Sequence, residues 1–199
     1  MVTTRQRLGR PRDTEIDASL LSAARELLGE VGYARVTMDA TAARAGTSKA
    51  AIYRRFRSKA EMMFAAAVHS TDTEPPADTG SLRGDLLALG RRIRADMSAP
   101  TAREVAPQII AEIGRSPEVS QRLREVFVAH ERGEVETILD RAVARGELLR
   151  PPDVRTTHRL LGGALFFTIF VTDEPLDDVD LARVIDVVVA GIAASTTAG

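Results

Sequence analysis

Residues 18–61, ASLLSAARELLGEVGYARVTMDATAARAGTSKAAIYRRFRSKAE, break into short helical stretches at Gly32 and Gly46. Upstream, Asp13 or Thr14 can cap a first helix, whose apolar positions Ile16, Leu20, Ala23, Leu27 and Val31 recur every three to four residues and predict one buried face. Gly32 stands where a helix ends in the left-handed region. Thr37 is a good cap for a second helix of barely two turns with Asp39 in its first turn, and Gly46 supplies the turn after Ala45. A third helix runs from about Ser48 to Phe56. Ser58-Lys59-Ala60-Glu61 then has the form of a capping box opening a fourth through Met62, Met63, Phe64 and Val68. Three short helices ending in a basic, aromatic-bearing one are the sequence form of a helix-turn-helix that reads DNA.

The charge pattern agrees. Residues 1–60 hold twelve Lys and Arg against six Asp and Glu, and the remaining 139 hold fifteen against twenty-two, so the overall charge of −1 conceals a +6 end and a −7 end. A basic end gains affinity for a polyanion by releasing counterions from its phosphates. The chain has no cysteine, hence no disulfide framework or thiolate metal site, and its polar N-terminus lacks the apolar core of a signal peptide. His69, His130 and His158 lie far apart, with no metal-ligand spacing and no nucleophile elbow, so neither an enzyme, a cofactor nor a bound metal is expected. The longest apolar run, Leu160 to Val171, is twelve residues, short of the roughly 20 that span a bilayer. A cytoplasmic protein follows.

Beyond a polar, proline-bearing linker, residues 70–81, the helical pattern resumes. It places Leu82, Leu86, Leu89 and Ile93 on one face. Thr101 with Glu104 reads as a second capping box, leading to Val105, Ile109, Ile110 and Ile113 past a Pro107 that is either tolerated or kinks the helix. Ser116-Pro117-Glu118 opens the longest helix, through Leu123, Phe127, Val135 and Leu139 to Gly146, with Glu131, Glu134 and Glu136 on a solvated face. Pro151 and Pro152 precede a helix from Asp153 to about Val171. The last helix carries Leu181, Val184, Ile185, Val188 and Ile192 on one face. The expected fold is all-α with about nine helices, divided into a basic arm (1–13), a helix-turn-helix domain (14–69) and a second helical domain (70–199).

The wording GYARVTMDATAARAGTSKAAIYRRFRSKAEM closely resembles the N-terminal domain of the TetR (tetracycline-repressor) family of transcriptional regulators over roughly residues 14–65. The resemblance implies a DNA-binding regulator, a ligand-responsive repressor that binds a palindromic operator as a homodimer and leaves it when a small molecule binds. A DNA-binding scaffold or an activator stays open as the alternative. Ser48 to Arg55 would enter the major groove, with Lys49, Ala50 and Arg54 meeting base edges. Thr37, Tyr53, Arg55 and Lys59 match family positions that hold phosphates, with Thr47 and Ser48 at the helix start where free N–H groups suit an anion. Arg54 and Arg55 stand where many members have His or Tyr. The arm around Arg10 and Arg12 is similar to minor-groove hooks, and equally to a plain tail.

The same resemblance implies a second domain whose last two helices dimerise and whose middle helices enclose an effector. Gly162, Gly163, Phe166, Phe167 and Phe170, with Leu181, Val184, Val188 and Ile192, then suit a two-fold interface, or else an internal core. Phe64, Leu89, Ile93, Met97, Ile109, Ile113, Phe127 and Phe166 are candidates to line a cavity, with Gln108 and His130 as polar anchors, although each also fits ordinary packing. A dimer sets its two recognition helices about 34–36 Å apart, one turn of DNA.

Overall fold

The structure, a computed structural model, describes residues 11–67 and 76–197, and the side chains of all of these but 11–14, 126, 196 and 197. Among them every regular element is helical: α1 (Pro11–Arg35), α2 (Met38–Arg44), α3 (Lys49–Arg55), α4 (Lys59–Ala67), α5 (Leu82–Ser98), α6 (Pro100–Arg115), α7 (Pro117–Leu123), α8 (Ala129–Ala144), α9 (Val154–Phe167) and α10 (Asp178–Thr197). A π-helical turn, Arg124–Val128, joins α7 to α8, and another, Thr168–Thr172, extends α9. The backbone stays helical through both junctions, so α7 and α8 form one continuous stretch, whereas α1 is interrupted by a kink at Gly32. The arm around Arg10, His69 and the linker residues 70–75 lie outside the described residues.

Local chemistry sets most helix ends. Thr37, Ser48, Ser81, Ser116 and Asp153 each accept a backbone N–H three residues on, satisfying one of the donors that a helix start leaves open. Gly32 (φ +72°) and Gly46 (φ +64°) take the left-handed conformation their turns require.

Three expected starts differ. The first helix begins at Pro11, ahead of Asp13 and Thr14, because a proline's fixed φ suits the first helical position. At α6 the Thr101–Glu104 capping box does not form: Pro100 takes the first turn, no side chain caps it, and the Glu104 carboxylate accepts the N–H of Tyr33 at 2.7 Å. At α4, Ser58 Oγ accepts the N–H of Glu61, but Glu61 returns to the N–H of Arg57 at 2.9 Å and its other oxygen takes Nε–H of Arg122 at 2.9 Å. Pro107 sits within α6 and the helix continues past it.

Two cores result. The first gathers Leu20, Leu28, Ile52, Phe56 and Met62 from α1, α3 and its cap, and α4, and extends into α6, α7 and the π turn through Val105, Ile109, Leu123 and Phe127. The second is built from α5, α8, α9 and α10 around Leu86, Ile138, Leu161, Leu165 and Leu181. The helical stretch from Pro117 to Ala144 therefore serves both. Its π turn holds Phe127, the last residue it gives to the first core; Val135 is the first it gives to the second.

Candidate functional site

On α3, Ala51 and Ile52 face the core and Phe56 closes it, which turns Ser48, Lys49, Ala50, Tyr53 and Arg54 to solvent. Tyr53 is 50% exposed, a large aromatic left outside by design of the helix periodicity. Thr37 is also exposed, at the start of α2, and Thr47 is half-buried in the turn. These side chains form one outward face, basic through Lys49 and Arg54. No helix of the described residues is long and apolar enough to cross a membrane.

Two of the expected phosphate holders point elsewhere. Arg55 is turned inward, its guanidinium paired with Asp17 of α1 and its side chain only 10% exposed. It ties α3 to α1. Lys59 donates to the carbonyl of Ala34 at 3.2 Å and lies 4.2 Å over the Tyr33 ring; burial pushes its pKa down, with Glu112 opposing. The reason is shared: both residues fall where their helices meet α1, not on the outer face. Arg44 grips Glu30 through both nitrogens, at 2.8 and 2.7 Å. Lys49 stays exposed, but its ammonium meets Asp39 of α2 at 2.6 Å, and that hydrogen bond holds its pKa above the ordinary lysine value. Asp39 was readable only as a helix-start acid. The Arg12 side chain lies outside those described.

Behind α4 and α6 lies a cavity of about 400 Å³. Of the expected lining residues it takes Phe64, Leu89, Ile93, Met97, Ile109, Ile113 and Phe166. Phe127 instead packs against Phe64 with the rings tilted and their centroids 4.6 Å apart, within the first core. Gln108 and His130 are exposed and do not line the cavity. The polar wall comes from other residues: Arg92 and Asp96 of α5, Glu131 and Glu134 of α8, His158 and Arg159 of α9. Arg92 pairs with Glu134 and His158 Nε2 lies 2.8 Å from Glu131 Oε2, so two acids expected on a solvated face are cavity residues. Their spacing, three apart on one helix, was a signal too common to single them out.

The residues expected at a two-fold interface separate. Gly162, Gly163, Phe166 and Phe170 line the cavity. Leu181, Val188 and Ile192 are buried in the second core and Val184 packs against it, because α10 lies close along α5: a Cβ at Gly90 would come within 3.1 Å of Leu181. Phe167 is the large apolar side chain of that set left mostly exposed. With it, Leu160, Val171, Val179 and Val187 leave an apolar surface on α9, its extension and α10.

α6 connects the two features. Its Ala106, Ile109, Ile110 and Ile113 face the cavity, while Glu104 and Glu112 hold the end of α1, Glu112 accepting from the Tyr33 hydroxyl at 3.4 Å. Burial, then the adjacent Glu112, pushes the Tyr33 phenol up to about 12.

Residues 20–66 match the family described as bacterial regulatory proteins, tetR family, and residues 76–188 the tetracyclin repressor-like, C-terminal domain. A helix-turn-helix-type transcriptional regulator of Mycobacterium tuberculosis is 38% identical over 190 residues, 94% of this chain and 90% of its own. A protein of Mycobacteroides abscessus named DNA-binding transcriptional repressor TetR is 33% identical over 173 residues, 85% of this chain and 89% of its own. Among solved structures, the TetR family transcription regulator SCO0332 superposes with a TM-score of 0.74 at 27% identity, covering 89% of this chain and 98% of that one. Capped short helices, an outward basic face on α3 and these likenesses converge: the chain belongs to the TetR family of helix-turn-helix transcriptional regulators, not to an enzyme family.

Proposed function

We propose that the protein is a cytoplasmic, homodimeric repressor that binds a palindromic operator through α3 and is released when a small molecule fills the cavity. The observation that carries this reading is α6, which gives Ile109, Ile110 and Ile113 to the cavity and Glu104 and Glu112 to α1. A ligand that favours a different seat for α6 lowers operator affinity by its differential binding energy. Lys49, Ala50 and Arg54 read bases, and Thr37, Thr47, Ser48 and Tyr53 hold phosphates. The division into a reading domain (14–69) and an effector domain (70–199) follows the two cores, with α6 and α7 shared between them. The exposed apolar surface of Leu160, Phe167, Val171 and Val187 is the dimer contact. Repression is carried over from the Mycobacteroides abscessus relative. A cavity of this size speaks against a filled scaffold domain.

The test is to capture genomic fragments with purified protein and titrate the best by fluorescence anisotropy at two salt concentrations. Binding a palindromic fragment at least about 10³-fold tighter than a scrambled duplex is the expected outcome; weak, equal, salt-sensitive binding to both overturns it.

A further inference from the structure

The cavity is graded along α9. His158 and Arg159 stand at one end, Leu161 and Gly162 follow, and Phe166 and Phe170 at the other end lie 5.1 Å apart. Twelve residues of helix separate His158 from Phe170, a rise of about 18 Å. Glu131 of α8 meets His158 at that end, α5 lines the cavity with Leu89, Ile93 and Met97 interleaved with Arg92 and Asp96, and α6 and Phe64 add apolar wall. The lining as a whole carries three carboxylates against two guanidinium groups, one of which, Arg92, is already held by Glu134. An anionic head would meet excess negative charge.

One polar atom at that end lacks a partner. His158 Nε2 faces a Glu131 carboxylate oxygen, which only accepts, so Nε2 carries a proton, and in the neutral tautomer that this selects, Nδ1 is an acceptor. Nδ1 is buried and makes no hydrogen bond among the described residues. A buried acceptor left unmade is costly, and a donor from an occupant removes that cost.

We propose that the effector is an elongated molecule with an apolar body and one head group that donates a hydrogen bond, an amine or a hydroxyl, to Nδ1 of His158. This rests on the cavity being the effector site. The apolar body lies along α9 toward Phe166 and Phe170, against the Ile side chains of α6.

The experiment displaces Nile red from the full chain with a matched set of probes, n-decanol, n-decylamine and n-decanoate, and follows operator release in parallel by anisotropy. The alcohol and the amine are expected to bind at least about tenfold more tightly than the carboxylate, the effect of one buried hydrogen bond. His158→Phe should abolish that ranking. Where His158→Phe fails to fold by circular dichroism, His158→Asn, which keeps a polar atom near Nδ1, should preserve the ranking better than His158→Gln, which keeps one near Nε2. Equal or tighter binding of n-decanoate, or a ranking unchanged in the His158 variants, overturns the head-group assignment and leaves the cavity's role standing. Probes that bind in the expected order but never release operator overturn the regulatory reading alone. Failure of Nile red and of every probe to bind overturns both.

Discussion

The reading helices and the cavity-bearing helices are made of the same secondary structure and solve opposite problems. α2, α3 and α4 have seven, seven and nine residues, too short to stand alone, and hold their shape through caps, glycine turns and a closed core. α5, α6, α8 and α9 have fourteen to seventeen residues, enough to hold their line across a void of about 400 Å³. Position matters in the first region, because bases must meet particular atoms. Room matters in the second. Substitutions should therefore act with different size, and in one case different sign, in the two regions.

The largest effect expected is for Ile52→Ala, at a fully buried site of α3: a loss of about 2–5 kcal/mol in guanidinium unfolding, with operator binding lost alongside. A loss well under that range would mean that the first core is loose and the contrast between the regions is overstated. Gly32→Ala comes next. It forces an L side chain to φ +72° and sets a Cβ 3.3 Å from the Glu104 carboxylate, and about 1–3 kcal/mol should disappear from the same unfolding curve. Thr37→Ala removes the cap of α2 and should cost about 1 kcal/mol, together with a weaker operator complex read by anisotropy.

Gly162→Ala should go the other way. A Cβ there meets nothing within 4 Å, so the variant should gain roughly 0.5–1 kcal/mol from helix stiffness while narrowing the cavity; destabilisation would show that the wall around Gly162 is already full. The smallest signal is in pH. Burial raises the Asp85 carboxyl, but hydrogen bonds from the Thr79 amide and hydroxyl and the Arg145 guanidinium outweigh it and hold its pKa below the ordinary value. A depressed folded pKa contributes stability that is complete above the unfolded value, about 4, and is lost as pH falls through the lower folded one. Melting temperature should thus fall over that acid window, and Asp85→Asn should flatten the fall.

Legibility in the sequence followed the same divide. Caps, turns and the outward face of α3 are encoded within a few residues, so Thr37, Gly46, Ser48, Lys49 and Tyr53 stand where local rules put them. Arg55 and Lys59 looked equally suited to phosphate, and only the approach of α1 reveals that their charges are spent on Asp17 and Ala34. The apolar cavity wall was readable from helical spacing because a residue facing a void and one facing a core share a face. Its polar wall was not: His158 and Glu131 lie 27 residues apart on separate helices, and nothing local distinguishes a glutamate that faces a cavity from one that faces water. The surface left open on α9 and α10 likewise depends on how much of α10 is used up by α5.

The shared carboxylates have a consequence for portability. Glu61 is buried beside Arg122, and the end of α1 finds a partner for the Tyr33 amide in Glu104. A fragment cut after α4 would keep a sunken acid with no counter-charge, an open backbone donor and a core stripped of Val105, Ile109, Leu123 and Phe127. The reading head is not a cassette. Grafted onto a foreign effector domain it should melt broadly and without cooperativity unless α6 and α7 travel with it, so the natural cut for a chimaera falls after the π turn.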